Sequence, residues 1–269
     1  MEIKTDEPEL LIVEDVEGDI MSAISQPLPL AQAQVERYHR EGYLMVPNLL
    51  SASEVEEFLK SEEELAATAG PRGLQNHKVE EHWTYLAHHA RIGAIVRQLL
   101  DGAPLIVQTM FMAKSPDGGT GIALHQDTHY IRHEPHSLMA CWIALSDTDE
   151  KNGGLCVVPG SNQNGLYDFE RVRDTSEHAA WEKAYRMRSP DGREWDEPMF
   201  SFDIVGIEPQ DILHLKVPCG AGIFFTGMTV HGSYANRSYD RPRLAFATHY
   251  IREGTWIDRV DLQDLTPLA

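Results

Sequence analysis

Two textures divide the chain. Between about residues 30 and 100, apolar positions recur every three or four residues; from Leu105 onward they fall into short runs separated by Gly, Pro and Asn. The first spacing is that of amphipathic helices and the second that of strands and turns. A first helix is expected to end at Gly42, a residue suited to the left-handed conformation just past a helix. Tyr43 to Pro47 reads as a short strand, and Ser51 with Glu54 forms a capping box opening a helix through Val55, Phe58 and Leu59. Trp83, Leu86, Ala87, Ala90, Ile95, Val96 and Leu99 predict a helix over residues 80–100 with one buried face.

Strands are predicted at 105–113, 122–131, 137–145, 155–158, 212–217, 223–226 and 243–251, punctuated by Gly118-Gly119, Asn152-Gly153-Gly154, Pro159-Gly160 and Cys219-Gly220. Many short strands behind N-terminal helices predict a mainly β fold, a double-sheet jelly roll with helices packed outside. Residues 162–200 interrupt the strands. Their charge, with Phe169, Val172, Ala180, Trp181 and Tyr185, predicts one amphipathic helix in a lid-like insertion. Residues 1–28, acidic from Asp6 to Asp19 and followed by Pro29, read as a loosely packed arm, and 29–269 as a single domain.

Composition narrows the function classes. The formal net charge of −19 disfavours nucleic acid, which would be repelled at long range. No apolar run is long enough to span a bilayer, and the acidic start lacks the form of a secretory signal. Cys141, Cys156 and Cys219 have neither disulfide nor zinc-knot spacing, so a cytoplasmic setting is expected.

The candidate chemistry sits in His125-Gln126-Asp127 and, about a hundred residues later, His231-Gly232-Ser233. Two imidazoles and a carboxylate are the facial ligand set of non-heme Fe(II), which leaves other coordination positions open. In a strand, residues two apart share a face, so His125 and Asp127 converge while Gln126 turns away. His231 follows the apolar run Ile223-Phe224-Phe225, and Gly232 allows close backbone approach. By itself an H-x-D pair is a weak signal in a chain with 13 histidines.

Eight short motifs strengthen it by their order: His125-Gln126-Asp127, His129-Tyr130, Trp142, Asn152-Gly153-Gly154-Leu155, Val158-Pro159-Gly160-Ser161, His231-Gly232-Ser233, Asn236-Arg237-Ser238 and Arg243. Together they resemble the phytanoyl-CoA dioxygenase family of Fe(II)/2-oxoglutarate-dependent oxygenases, over about residues 30–252. The resemblance implies a double-stranded β-helix with Fe(II) held by His125, Asp127 and His231. The far carboxylate of 2-oxoglutarate would meet Arg243, whose planar fork suits a carboxylate, with Ser233 adding a hydrogen bond. Arg237 and Arg241 are competing candidates for that role. Gln126, Trp142, Met110 and Lys78 are implied as further co-substrate residues, Gln126 on the resemblance alone. His129 and His133 are candidates for the substrate pocket.

The expected reaction is O₂-dependent decarboxylation of 2-oxoglutarate to succinate and CO₂, coupled to hydroxylation of a small molecule. Asp127 distinguishes the chain from halogenating relatives, which lack that carboxylate. A zinc hydrolase using the same three ligands and a non-catalytic jelly-roll binding module are the competing classes. The substrate class stays open among acyl-CoA, amino-acid derivatives, phosphonates and secondary metabolites, and so does the oligomeric state. Arg171, Arg173, Arg186 and Arg188 could face an anionic group, or form a solvated face.

Overall fold

The computed structural model describes residues 30–66, 73–116 and 118–268; the acidic segment 1–28 lies outside them. Two facing antiparallel sheets form the body. The larger has the strand order Tyr43–Val46, Gly222–Thr226, Met139–Ala144, Arg243–Arg252, Pro104–Lys114 and Thr266–Pro267. The smaller has the order Leu213–His214, Leu155–Val157, His231–Ser233 and Ile122–His125. This is the expected double-stranded β-helix. Neighbouring strands in each sheet are distant in sequence, which brings residues a hundred positions apart side by side.

Strand alternation sorts the side chains into two cores. On one face of the larger sheet Phe224, Phe246, Tyr250 and Ile143 pack against Trp83, Leu86, Ile92, Val96 and Leu99 of the helices. On the other, Ala140, Trp142, Ala245 and Ala247 face Leu155 and Val157 of the smaller sheet. The small Ala245 and Ala247 side chains leave space between the sheets, and the site occupies it. An irregularity in the long strand pair sets Gln108 opposite His249 and Ile106 opposite Tyr250, with Val107 left over.

The helical half follows the pattern, with one break. Gly42 caps Gln32–Glu41 at φ 80°, and the Ser51–Glu54 capping box is formed in both directions. The helix expected over 80–100 is two, Glu81–Ala87 and Ala90–Leu100, parted at His88-His89. No described helix is long and apolar enough to cross a membrane.

The insertion contradicts its expected helix. It carries the antiparallel hairpin Glu182–Arg188 with Glu194–Phe200, and Phe169–Arg171 pairs with Phe202–Ile204. The turn between the hairpin strands is Ser189-Pro190-Asp191-Gly192, with Gly192 at φ 86°. Trp195, Glu197 and Met199 alternate with more exposed neighbours along the second strand. Period-two alternation around a Pro-Asp-Gly turn is a hairpin signal, and it outweighs the scattered aromatics that suggested a helical face.

Candidate metal and co-substrate site

His125 ends one strand of the smaller sheet, and His231 lies directly opposite it at the start of the neighbouring strand. Close approach at this pair needs a glycine: a Cβ on Gly232 would come 2.8 Å from the Ile122 carbonyl oxygen. The expected strand over 122–131 stops at His125, and Asp127 opens a single helical turn, Asp127–Tyr130. The turn, rather than continuous strand alternation, carries the carboxylate back beside His125.

The donor atoms converge. One ligand atom from each of His125, Asp127 and His231 lies within 4.8 Å of the others. Asp127 Oδ1 stands 3.5 Å from His125 Nε2 and 3.8 Å from His231 Nε2. Each imidazole is fixed from behind: Nδ1 of His125 lies 2.8 Å from the Ala123 carbonyl and Nδ1 of His231 lies 2.9 Å from the Thr229 carbonyl. A carbonyl only accepts, so both Nδ1 atoms carry the proton and both Nε2 lone pairs point inward. Burial, with His125 close by, pushes His231 down to about 4. Burial would raise Asp127, but His249 and His231 outweigh it and hold the carboxyl well below its usual range. Two inward-facing imidazole nitrogens and one carboxylate make a donor set that fits a divalent metal.

Behind the carboxylate stands a residue that sequence reasoning passed over. His249 Nε2 lies 3.0 Å from Asp127 Oδ2, leaving Oδ1 for the ligand cluster. Strand alternation could have found it, because His249 shares a face with Arg243, Ala245 and Ala247.

Between the sheets lies a cavity of about 410 Å³, lined by the three ligand residues together with Met110, Trp142, Ser233, Arg243 and Ala247. Arg243 is 3% exposed and donates to the carbonyls of Gly153 and Met112, both at 3.2 Å. Burial lowers it to about 10, which still leaves it charged at neutral pH. Its rivals point outward to carboxylates, Arg237 to Glu177 and Arg241 in a two-pronged pair with Asp149 at 2.9 and 3.0 Å.

A second buried cation lies opposite Arg243 in the ladder, and it too was missed. Lys114 donates to Ser233 Oγ at 2.8 Å and to the Tyr234 carbonyl at 2.6 Å. Burial, then the nearby Arg243, pushes its ammonium down to about 7. An ammonium only donates, so Ser233 Oγ accepts from Lys114 and keeps its own proton free for an anion. Lys114 and Arg243 have no carboxylate partner among the described residues. An alternating strand hides Lys114 in sequence, where one lysine resembles any other.

Gln126 and Lys78 are not brought to the cavity. Gln126 is fully buried but binds Gly165, Met228 and Tyr167 backbone atoms, stitching loops together on the side away from the metal cluster. Lys78 reaches Asp264 at 2.6 Å. His129 packs against Phe169 and Phe202, and His133 caps the Ile131 carbonyl at 2.7 Å; neither lines the cavity.

Known proteins resemble this chain in sequence and fold. The family model "Phytanoyl-CoA dioxygenase (PhyH)" matches residues 38–245. Phytanoyl-CoA dioxygenase of Arabidopsis thaliana is 25% identical over 195 residues, 70% of this chain and 61% of that protein. Phytanoyl-CoA dioxygenase domain-containing protein 1 of Bos taurus is 31% identical over 180 residues, 65% of this chain and 54% of that one. The matched region thus spans little more than half of these relatives. Among solved structures, the epimerase SnoN in complex with Fe³⁺, alpha-ketoglutarate and nogalamycin RO superposes with a TM-score of 0.65 at 21% identity, covering 84% of this chain and 85% of that one. The fold, the ligand cluster and the match over most of its length lead to one conclusion: this chain belongs to the phytanoyl-CoA dioxygenase family of Fe(II)/2-oxoglutarate-dependent oxygenases.

Proposed function

We propose that the chain hydroxylates an unactivated C–H bond of a small-molecule substrate, consuming 2-oxoglutarate and O₂. The observation that carries this is the presence, in one cavity, of the three-residue metal cluster and the buried Arg243 guanidinium. O₂ is the oxidant: bound Fe(II) would activate it, and 2-oxoglutarate would supply two of the four electrons that reduce it, leaving as succinate and CO₂. His125, Asp127 and His231 would hold the metal from one side. Arg243 would clamp the far carboxylate of the oxoacid, Ser233 would donate to it, and Lys114 would add positive charge and orient that hydroxyl. Trp142 and Met110 line the same cavity, and Tyr130 and Phe202 add aromatic surface to its wall.

The hydrolase alternative lacks a part. Asp127 is the single carboxylate among the described cavity-lining residues, so no second acid remains to serve as the proton donor and acceptor of a zinc hydrolase. The three free cysteines accord with a cytoplasmic setting.

The test is a substrate screen with anaerobically reconstituted Fe(II) protein, scored by succinate formed above the uncoupled background and by product mass. Hydroxylation predicts one added oxygen atom per succinate. A coupled product of unchanged mass would replace hydroxylation with isomerisation, and absence of 2-oxoglutarate consumption under every condition would refute the oxygenase itself.

A further inference from the structure

The insertion hairpin is fastened at its base to a segment near the end of the chain. The Arg188 amide donates to the Asp258 carbonyl at 2.8 Å, Trp256 Nε1 donates to the Arg188 carbonyl at 3.0 Å, and Met187 bridges Arg259 through the backbone. This junction sets Arg259 against Tyr185, with the guanidinium carbon 3.9 Å from the ring centroid. Both residues line the same cavity as the metal cluster.

Arg259 is only partly engaged. Its side chain is 5% exposed, and its Nε and Nη2 donate to the two oxygens of Asp261 at 3.1 and 2.6 Å. A guanidinium carries five N–H donors in one plane, and Asp261 takes the edge formed by Nε and Nη2. The other edge, formed by Nη1 and the second proton of Nη2, has no acceptor among the described residues. Nη1 is not sealed in: the unpaired side-chain atoms that lack accessible surface belong to other residues. A nearly buried donor edge that keeps accessible surface, on a residue of the cavity wall, is where a ligand acceptor belongs.

The surroundings limit that ligand. Leu74, Tyr130, Ile131, Trp181, Tyr185 and Phe202 make the wall apolar and largely aromatic. Asp261 already matches the single positive charge of Arg259, so a substrate carboxylate or phosphate there would bury a net negative charge. A neutral oxygen acceptor takes the charge-assisted hydrogen bond without that cost. The other arginine lining the cavity among the described residues, Arg243, is reserved for the co-substrate, and here the inference rests on the function proposed above.

We propose that Arg259 anchors the substrate, its open edge donating to a carbonyl oxygen of a neutral, largely apolar small molecule. Asp261 is the positioning residue: it holds the guanidinium and cancels its charge, which sets the site against anions. The Tyr185 ring covers one face of the guanidinium, so the acceptor approaches in the guanidinium plane.

The experiment uses the full chain loaded with Ni(II) in place of iron and saturated with 2-oxoglutarate, so that nothing turns over. Binding is read by calorimetry for 1-indanone, which carries the carbonyl, indane, which has a methylene in its place, and indane-1-carboxylate, which adds an anion. Wild type is expected to prefer 1-indanone over indane by about tenfold, with the carboxylate weakest, because indane leaves the donor edge unpaired. Arg259→Met should bring the ketone-to-indane ratio close to one while still binding 2-oxoglutarate. Asp261→Asn, which removes the countercharge and keeps the side-chain shape, should tighten indane-1-carboxylate by about tenfold and preserve the ketone preference; it decides alone if the Met variant does not take up the oxoacid. Failure of wild type to bind 2-oxoglutarate would overturn the oxygenase assignment. Retained 2-oxoglutarate binding with no ketone preference, no binding of any of the three probes, tightest binding of the carboxylate to wild type, a preference that survives Arg259→Met, or no gain for the carboxylate in Asp261→Asn would overturn the Arg259 anchor alone.

Discussion

Charge is arranged in opposite ways in the insertion hairpin and in the cavity beside it. Along Glu182–Arg188 and Glu194–Phe200, arginines and carboxylates pair in the open, Arg186 with Glu194 and Asp196 and Arg188 with Glu194. Exposed pairs of this kind contribute little to stability, because water competes for both partners. At the cavity, Arg243 in its wall and Lys114 behind Ser233 are buried without a carboxylate partner among the described residues, and Asp127 is buried among three imidazoles. Desolvating such groups costs several kcal/mol apiece unless something returns the lost solvation. Protein carbonyls return part of it at Arg243 and Lys114. On the proposed function a bound dicarboxylate would return the rest, and a metal ion would do the same for Asp127. The fold tolerates uncompensated charge where a ligand completes it and neutralises charge where none is due.

If that contrast holds, substitutions inside and outside should differ sharply. The largest effect is expected for Arg243→Met, which removes a charge-assisted clamp and should raise the KM for 2-oxoglutarate by about 100-fold while leaving Fe(II) binding in place. Steady-state kinetics over a wide oxoacid range will show it, and an unchanged KM would remove Arg243 from the site. Next comes His249→Phe, which frees Asp127 Oδ2 from its anchor. Partners of this kind typically carry about 10- to 100-fold in metal affinity. Competition with a chelator measures the loss, and a variant that holds metal as wild type does would make the contact incidental.

A smaller effect concerns pH. With its ammonium pushed down to about 7 by burial and Arg243, Lys114 is partly deprotonated in the empty site just above neutrality. A bound carboxylate favours the charged form, so binding takes up a proton there and affinity falls as pH rises above 7, by up to about tenfold per unit. Calorimetry in buffers of different ionisation enthalpy reports the uptake directly. Lys114→Met should abolish it, and wild-type binding without proton uptake would contradict the assigned state. Smallest of all, Arg186→Ala in the hairpin should leave the thermal midpoint close to wild type and the KM for 2-oxoglutarate untouched.

The sequence disclosed the site unevenly, for physical reasons. His125, Asp127, His231 and Arg243 could be read because ordered motifs and an alternating strand constrain them, and the sheets do bring them together. Gln126 was already turned from the metal side by simple alternation, and that inference described its position better than the resemblance did. Lys114 and His249 stayed hidden because their importance depends on cross-strand neighbours. In the insertion a few aromatics mimic helical spacing, while its Pro-Asp-Gly turn is the feature that marks a hairpin. Local chemistry in the turn decides such a segment, since its surface-exposed strands bury little to enforce a period.

The most direct measurement follows the visible charge-transfer absorbance of an Fe(II)–2-oxo acid chelate in an anaerobic titration of wild type, Asp127→Ala and Arg243→Met. The band should appear in wild type, vanish in Asp127→Ala, and require about 100-fold more 2-oxoglutarate in Arg243→Met. A band that persists without Asp127, or one whose dependence on 2-oxoglutarate ignores Arg243, would contradict the account.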